Sequence, residues 1–146
     1  MNELSLNVSR TINAPAEALF NAWLDPEMLA RFMIPGEGMS VSKATANPAE
    51  GGRFDIIMVA GDQEIPHHGI YKIITRHSQL VFTWQSQYSV DDSTVTLDFR
   101  AVDGGTEVNL NHVKFHNEEA RDNHQNGWAS ILEKLAQTTG PTSAEV

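Results

Sequence analysis

The sequence predicts an α+β fold in which a curved antiparallel β-sheet packs against one long C-terminal helix. Three observations carry this prediction. From about residue 39 to the last helix, β segments follow one another with hairpin-length turns between them, which is typical of an antiparallel meander. One strand and two short helices precede this meander, and a long amphipathic helix follows it. The apolar face of the sheet and the apolar stripe of that helix should therefore pack together.

Length and composition indicate a single compact domain. The chain has 146 residues, of which 40% are hydrophobic, so one core accounts for most of the apolar side chains. We expect residues 1–146 to form this domain, with residues 140–146 as a flexible tail. No apolar run has the length of a signal peptide or of a membrane span, which predicts a soluble, cytoplasmic protein.

The composition also excludes several partners and chemistries. The chain has 19 Asp and Glu against 10 Lys and Arg, a formal net charge of -9, which disfavours nucleic acid and anionic membranes as partners. It has no Cys, which removes disulfides, thiolate catalysis and cysteine-based zinc sites. Any activity must therefore use other groups.

One strand and two short helices are predicted before the meander. Residues 6–12 alternate apolar and polar side chains with a period near two, as an edge strand does. In residues 13–25 the apolar spacing becomes three and four, and Pro15 suits the first turn of a helix. An Asp-Pro pair ends this helix and starts a second one over residues 26–33.

Six further segments have the pattern of β-strands. The alternation is clearest in residues 93–101, where Val95, Leu97 and Phe99 share one face and polar side chains share the other. Asp-Gly-Gly at residues 103–105 is a strong signal for a tight turn to the next strand. The six segments cover residues 39–46, 53–60, 64–75, 79–89, 93–101 and 106–115.

The final helix is predicted from near Asn117 to the Gly-Pro pair at residues 140–141. Its apolar face contains a Gly127-Trp128 pair. Glycine inside a helix costs about 1 kcal/mol relative to alanine, so another interaction should offset that loss. We interpret Gly127 as a point where a strand or loop approaches the helix closely, and Trp128 as a side chain that projects into the concavity of the sheet.

Four segments carry a resemblance to a known family: NAPAEALFNAWLDPEMLARFM from residue 13, NPAEGGRF from residue 47, GIYKIITRHSQLVFTW from residue 69, and HQNGWASILEKLAQ from residue 124. In this order they resemble the activator of heat-shock protein 90 ATPase homologue family, in the START-like (SRPBCC) superfamily. The resemblance covers about residues 4–139. It implies a helix-grip (Bet v-type) fold, in which a sheet of about six to seven strands wraps around the C-terminal helix and leaves a cavity, with two short helices after the first strand.

The resemblance implies more about fold than about function. Members include co-chaperone domains and proteins without known activity, and more distant relatives bind or cyclise polyketides, lipids and hormones. The chain departs from the family at two positions. Phe32 stands where tryptophan is common, and Ile73 stands where an acidic residue is frequent. The second departure favours an apolar pocket.

The leading functional hypothesis is non-enzymatic binding of a small apolar or aromatic molecule between the sheet and the final helix, without a cofactor. Aromatic walls with a few polar groups are typical of small-molecule sites. His112 and His124 share these inward faces and would orient the ligand. The helix wall would comprise Trp128, Ile131 and Leu132, and the sheet wall Phe54, Ile56, Met58, Phe82, Trp84 and Phe99.

Two alternatives remain open. The first is a stress-related module that docks on a chaperone, as the family resemblance implies. The second is a cyclase, aromatase or hydrolase that uses His112 or His124 as general acid or base. The six histidines lack the spacing of metal ligands and no G-x-S-x-G elbow is present, so we expect neither a metal nor a serine nucleophile. We expect a monomer or a weak homodimer.

Overall fold

The computed structural model of the chain describes residues 4–36, 38–86, 89 and 93–139. Strands and helices follow one another in the predicted order. The elements are β1 (Ser5–Ile12), α1 (Ala16–Ala22), α2 (Pro26–Phe32), β2 (Met39–Ala46), β3 (Arg53–Ala60), β4 (Gln63–Thr75), β5 (Gln79–Thr83), β6 (Thr94–Val102), β7 (Gly105–Val113) and α3 (Glu118–Thr139).

The seven strands form one curled antiparallel sheet with the order β1-β7-β6-β5-β4-β3-β2. Strands β2 to β7 are a meander, because each pairs with the next along the chain. β1 pairs with β7 and forms one edge, as its alternating pattern predicts. This is the helix-grip arrangement that the resemblance implied.

The inward face of the sheet follows from the alternation of apolar side chains. In β6 and β7 the pairs Leu97–Leu110 and Val95–His112 lie opposite each other, and all four side chains are fully buried. Their neighbours in sequence are less buried, since successive side chains point to opposite faces of a strand. His112 therefore stands in a row of core positions.

Polar side chains cap the starts of α2 and α3. The Asp25 carboxylate accepts a hydrogen bond of 2.9 Å from the Glu27 amide at the start of α2. Asn117 Oδ1 accepts one of 2.8 Å from the Ala120 amide, which starts α3 where the sequence predicted. Pro15 precedes α1 in an extended conformation and is not in its first turn. The predicted end of α3 at residues 140–141 and the tail over 140–146 lie outside the described residues.

One strand is shorter than predicted. The pattern indicated a strand over residues 79–89, but β5 ends at Thr83. The Ser89 hydroxyl oxygen accepts a hydrogen bond of 2.8 Å from the Ser86 amide, and the Ser89 amide donates to the Ser86 carbonyl. These local bonds join Ser86 to Ser89 and compete with the strand ladder.

The concave face of the sheet is covered by α3 and by the two short helices. Phe32 packs at 4.9 Å from Trp23, so the position where the family commonly has tryptophan still holds a buried aromatic ring. The Tyr71 hydroxyl donates to the Trp23 carbonyl at 3.2 Å. The side chains of α3 that are buried against the sheet are Trp128, Ile131, Leu132 and Leu135.

Ile73 lies on the outer face of the sheet, where 42% of its surface is exposed. Regular alternation would place it inward with Tyr71, but a β-bulge between the two residues reverses the phase. The expectation that an apolar residue at this position makes the pocket apolar was therefore wrong. Residue 73 does not face the interior.

Gly127 lies against the loop that follows α2. A Cβ atom at this position would lie 3.2 Å from Cβ of Pro35, which is tighter than ordinary van der Waals contact. A loop and not a strand makes the approach, and an added methyl group fits only if Pro35 yields by a few tenths of an ångström.

The variant Gly127→Ala tests this contact. At an unhindered helix position the change stabilises a protein by about 1 kcal/mol. Here the added methyl group meets Pro35, so we expect the gain to fall well below that value or to become a loss. Urea denaturation measures the free energy of unfolding. Asn126→Ala, at an exposed position of the same helix, is the control for helix propensity. A gain of about 1 kcal/mol in Gly127→Ala would contradict the contact.

Candidate functional site

A pocket of about 510 Å³ lies between α3 and the β3–β4 part of the sheet. Small-molecule sites commonly have volumes of about 300–1,000 Å³. Exposed side chains at the start of α3 form its rim, so the pocket opens to solvent on that side. The lining residues are Pro35, Met58, His67, Trp84, His116, Asn117, Ala120, Asn123, His124, Gly127, Trp128 and Ile131.

The structure brings five of the eleven sequence-predicted residues to this pocket. These five come from the middle of β3, the segment after β5, and one face of α3. They are Met58, Trp84, His124, Trp128 and Ile131.

The other six predicted residues lie in packed parts of the core. Phe54, Ile56 and Phe82 surround a second void of only about 10 Å³, which cannot hold a ligand. The Phe54 and Phe82 rings pack edge to face at 5.3 Å and fill this part of the concavity. The remaining three line neither void, and they are Phe99, His112 and Leu132.

Two indoles and an imidazole form one wall of the pocket. The rings of Trp84 and Trp128 lie 4.9 Å apart, and the His67 ring lies 4.9 Å from Trp84. Sequence reasoning missed His67. The signal was present, because strand alternation places His67 in phase with buried Tyr71.

The rim residues at the start of α3 were missed for another reason. His116, Asn117 and Asn123 are polar and exposed, as residues near a helix start usually are. They lie at the pocket because the start of α3 packs near the β3–β4 part of the sheet. Nothing in their own spacing encodes that packing.

His112 supports Trp128 from behind the pocket. The Trp128 indole N–H donates to His112 Nδ1 at 2.9 Å. Indole can only donate, so the proton of the neutral imidazole is on Nε2, which donates to Ser93 Oγ at 2.6 Å. Both ring nitrogens thus form hydrogen bonds within the protein. His112 donates a hydrogen bond to Ser93, whereas a general base would accept one from the hydroxyl group.

Two of the three histidines that line the pocket, His67 and His124, have the other tautomer. His124 Nδ1 lies 2.8 Å from the Ala120 carbonyl oxygen, and His67 Nδ1 lies 3.0 Å from the Ile65 carbonyl oxygen. Carbonyl oxygens only accept, so each ring carries its proton on Nδ1. Nε2 of each ring then has a lone pair.

Burial keeps these imidazoles neutral. Removal from water lowers the pKa of His112 to about 3, with a smaller contribution from nearby His124. It lowers the pKa of His67 to about 4, and it lowers the pKa of His124 below its ordinary value. The three rings are therefore uncharged polar groups at neutral pH.

The described lining of the pocket contains no carboxylate, ammonium or guanidinium group. None of the described residues that line it is Asp, Glu, Lys or Arg. Within the described part of the chain, no group of three or more His, Asp or Glu side chains could hold a metal ion. No described helix has the length and apolar character to cross a bilayer.

Comparisons with known proteins agree with this architecture. A model of the family described as Activator of Hsp90 ATPase homolog 1-like protein matches residues 13–140. No curated protein matches the sequence.

Three solved structures share the fold. A protein from Chromobacterium violaceum is 22% identical, with 94% of this chain and 98% of that chain covered and a TM-score of 0.87. An AHSA1-like protein from Aeromonas hydrophila is 23% identical, with 92% and 90% covered and a TM-score of 0.79. A protein of unknown function from Staphylococcus aureus is 15% identical, with 99% and 98% covered and a TM-score of 0.80. At these identities the likeness shows the fold alone.

The buried histidines predict a stability that falls in mild acid. In the unfolded chain an imidazole takes up its proton near pH 6.5, whereas folded His67 and His112 do so only near 4 and 3. Between these values the unfolded state binds more protons, so the free energy of unfolding decreases as pH falls. Each ring contributes a slope of about 1.4 kcal/mol per pH unit, and the full stability is present above about pH 6.5.

Urea denaturation at several pH values between about 7.5 and 4.5 measures this slope. NMR titration of the imidazole resonances in the same range identifies the groups, and His67 and His112 should not titrate above pH 5. Asp55, whose pKa is lowered by its hydrogen bond to Arg53, contributes only at lower pH. A free energy of unfolding that is constant over this range would contradict the burial of neutral histidines.

Proposed function

The chain belongs to the family of Activator of Hsp90 ATPase homolog 1-like proteins, and we propose that this member binds a small, uncharged apolar or aromatic molecule in the pocket beside α3. The observation that carries the proposal is a pocket of about 510 Å³ with two indoles in its wall and no Asp, Glu, Lys or Arg among its described lining residues.

The absence of Asp, Glu, Lys and Arg from the described lining selects against charged ligands. A carboxylate or an ammonium group that enters the pocket would lose hydration without gaining a counter-ion, which is strongly unfavourable. An apolar ring loses no favourable hydration. It gains about 25 cal/mol for each Å² of apolar surface removed from water. The Trp84 and Trp128 rings, inclined at 58° to each other, offer such a ligand apolar contact surface.

Part of the wall is held in place before any ligand arrives. Trp128 is fixed by its hydrogen bond to His112, and the His112 ring is fixed in turn by Ser93. A wall that is ordered in advance reduces the entropy lost on binding. Met58 has an unbranched side chain that can adapt to ligands of different outline.

The proposal contains no catalytic step. Both ring nitrogens of His112 already form hydrogen bonds within the core, and His112 does not line the pocket. His124 does line the pocket, but its Nδ1 is bonded to the Ala120 carbonyl oxygen, and among the described residues no nucleophile or second acid–base side chain forms a hydrogen bond with it. Binding alone accounts for the features of the site.

A co-chaperone role is a second candidate. The family description, which names an activator of Hsp90 ATPase, matches residues 13–140 and thus nearly the whole described chain. In that role the outer surface of the domain would contact an Hsp90-type chaperone, and the pocket would not be required.

Ligand binding can be tested with naphthalene derivatives. We expect 2-methoxynaphthalene, which is neutral, to bind, and naphthalene-2-carboxylate, which has the same ring with a charge, to bind at least about tenfold more weakly because of its desolvation. NMR of methionine methyl groups provides the measurement. Met58 lines the pocket and should shift, whereas Met28, outside the pocket, is the internal control.

The variant Ala120→Leu tests the location. Ala120 lines the pocket, so a larger side chain there should occupy ligand volume and weaken binding about tenfold or more. Gln125→Leu adds the same side chain at an exposed position of α3 and should leave affinity unchanged. Failure of every neutral aromatic compound to shift Met58 would refute the proposal.

The chaperone candidate has an independent test. Addition of the purified chain to an Hsp90-type chaperone should raise its ATPase rate if the co-chaperone role holds. The Ala120→Leu variant should then retain the effect, because the pocket is not involved. An unchanged ATPase rate at saturating concentrations would eliminate this candidate.

A further inference from the structure

We propose that the ligand carries a hydrogen-bond donor, as a phenol or an indole does, and donates it to Nε2 of His124. This inference rests on the proposed function and narrows it to a chemical class, the neutral aromatic donors.

The helix itself selects the tautomer of His124. Ala120 precedes His124 by four residues, so its carbonyl oxygen lies one turn earlier on the same face of α3. His124 Nδ1 lies 2.8 Å from that oxygen and must donate to it. The nitrogen that remains for a ligand is therefore Nε2, and in the neutral ring Nε2 is an acceptor.

The ring of His124 is held by its neighbours. It lies 5.3 Å from the His112 ring and 5.2 Å from the Phe115 ring, and the contact with His112 is edge to face. Burial lowers the pKa of His124, which favours the neutral form that can accept. Among the described residues, none donates a hydrogen bond to Nε2.

Another imidazole of the lining, that of His67, also uses Nδ1 as a donor and leaves Nε2 as an acceptor. Its Nδ1 proton is donated to a backbone carbonyl, that of Ile65 at 3.0 Å. His67 and His124 thus direct their Nδ1 protons toward the protein and not toward the pocket. A ligand that only accepts hydrogen bonds finds no complement in these rings.

A ligand without a donor would displace water from His124 Nε2 and leave this acceptor unpaired. An unpaired buried acceptor reduces affinity about tenfold or more. Comparing two ligands of nearly the same shape, one with a hydroxyl group and one with a methyl ether, isolates this contribution.

The experiment compares 2-naphthol with 2-methoxynaphthalene at pH 7 by isothermal titration calorimetry. We expect 2-naphthol to bind the wild-type protein at least about tenfold more tightly. His124→Phe keeps an aromatic ring against His112 and Phe115 but removes the acceptor, so the preference should fall to about unity. His68→Gln, adjacent to His67 but outside the pocket lining, is the matched control and should keep the preference.

A measurement on the wild-type protein makes the test independent of how well the variant folds. The ¹⁵N resonance of His124 Nε2 should lie further upfield in the complex with 2-naphthol than in the complex with 2-methoxynaphthalene, because only 2-naphthol donates a hydrogen bond to this nitrogen.

The outcomes separate the two proposals. If neither compound binds, the proposed function itself fails. If both bind with equal affinity, ligand binding stands and the donor inference is overturned. A preference for 2-naphthol that persists in His124→Phe, or a His124 Nε2 resonance at the same position in both complexes, overturns the assignment to His124. Loss of the preference in that variant alone supports it.

Discussion

The hydrogen bond between Trp128 and His112 connects the C-terminal helix to the sheet in one orientation. The indole N–H donates over 2.9 Å to an imidazole that stands in the inward row of β7, and Ser93 occupies the other imidazole nitrogen. Apolar contacts alone would tolerate a rotation or a slide of α3 along the sheet, because such contacts are not directional. A buried donor and a buried acceptor lose their pairing when the helix moves, which costs about 1–3 kcal/mol for each unpaired group. The position of the pocket therefore depends on this pair.

One helix cannot fill the concavity of a seven-stranded curled sheet along its whole length. Near α1 and α2 the space is closed by aromatic rings such as Trp23, Phe32 and Phe82, which leave a void of about 10 Å³. Near the start of α3 no comparable rings are available from the short helices, and about 510 Å³ is left. The apolar volume of the side chains thus determines where the sheet and the helix pack fully and where they do not.

The periodicity of apolar residues predicted the fold because it is a local property of the sequence. The alternation in β6 and the capping position of Asn117 can be recognised within a few residues, and both are observed. Whether a residue lines the pocket depends on its position along the strand, and the alternation of apolar and polar residues does not encode that position. Phe54 and Met58 share one face of β3, but only Met58 reaches the pocket, since α3 and the short helices cover different parts of that strand. Ile73 was misplaced because a β-bulge leaves no reliable mark in the sequence.

The close pair of indoles has an optical consequence. Trp84 and Trp128 lie 4.9 Å apart, and Trp23 lies 6.3 Å from Trp128. The chain contains three tryptophans, so every indole of the protein belongs to this one array. At such separations excitation passes between rings faster than they emit, and transitions of neighbouring rings couple. The near-ultraviolet circular dichroism and the polarisation of the emission are therefore collective properties of the three rings, and they report the relative orientation of α3 and the sheet.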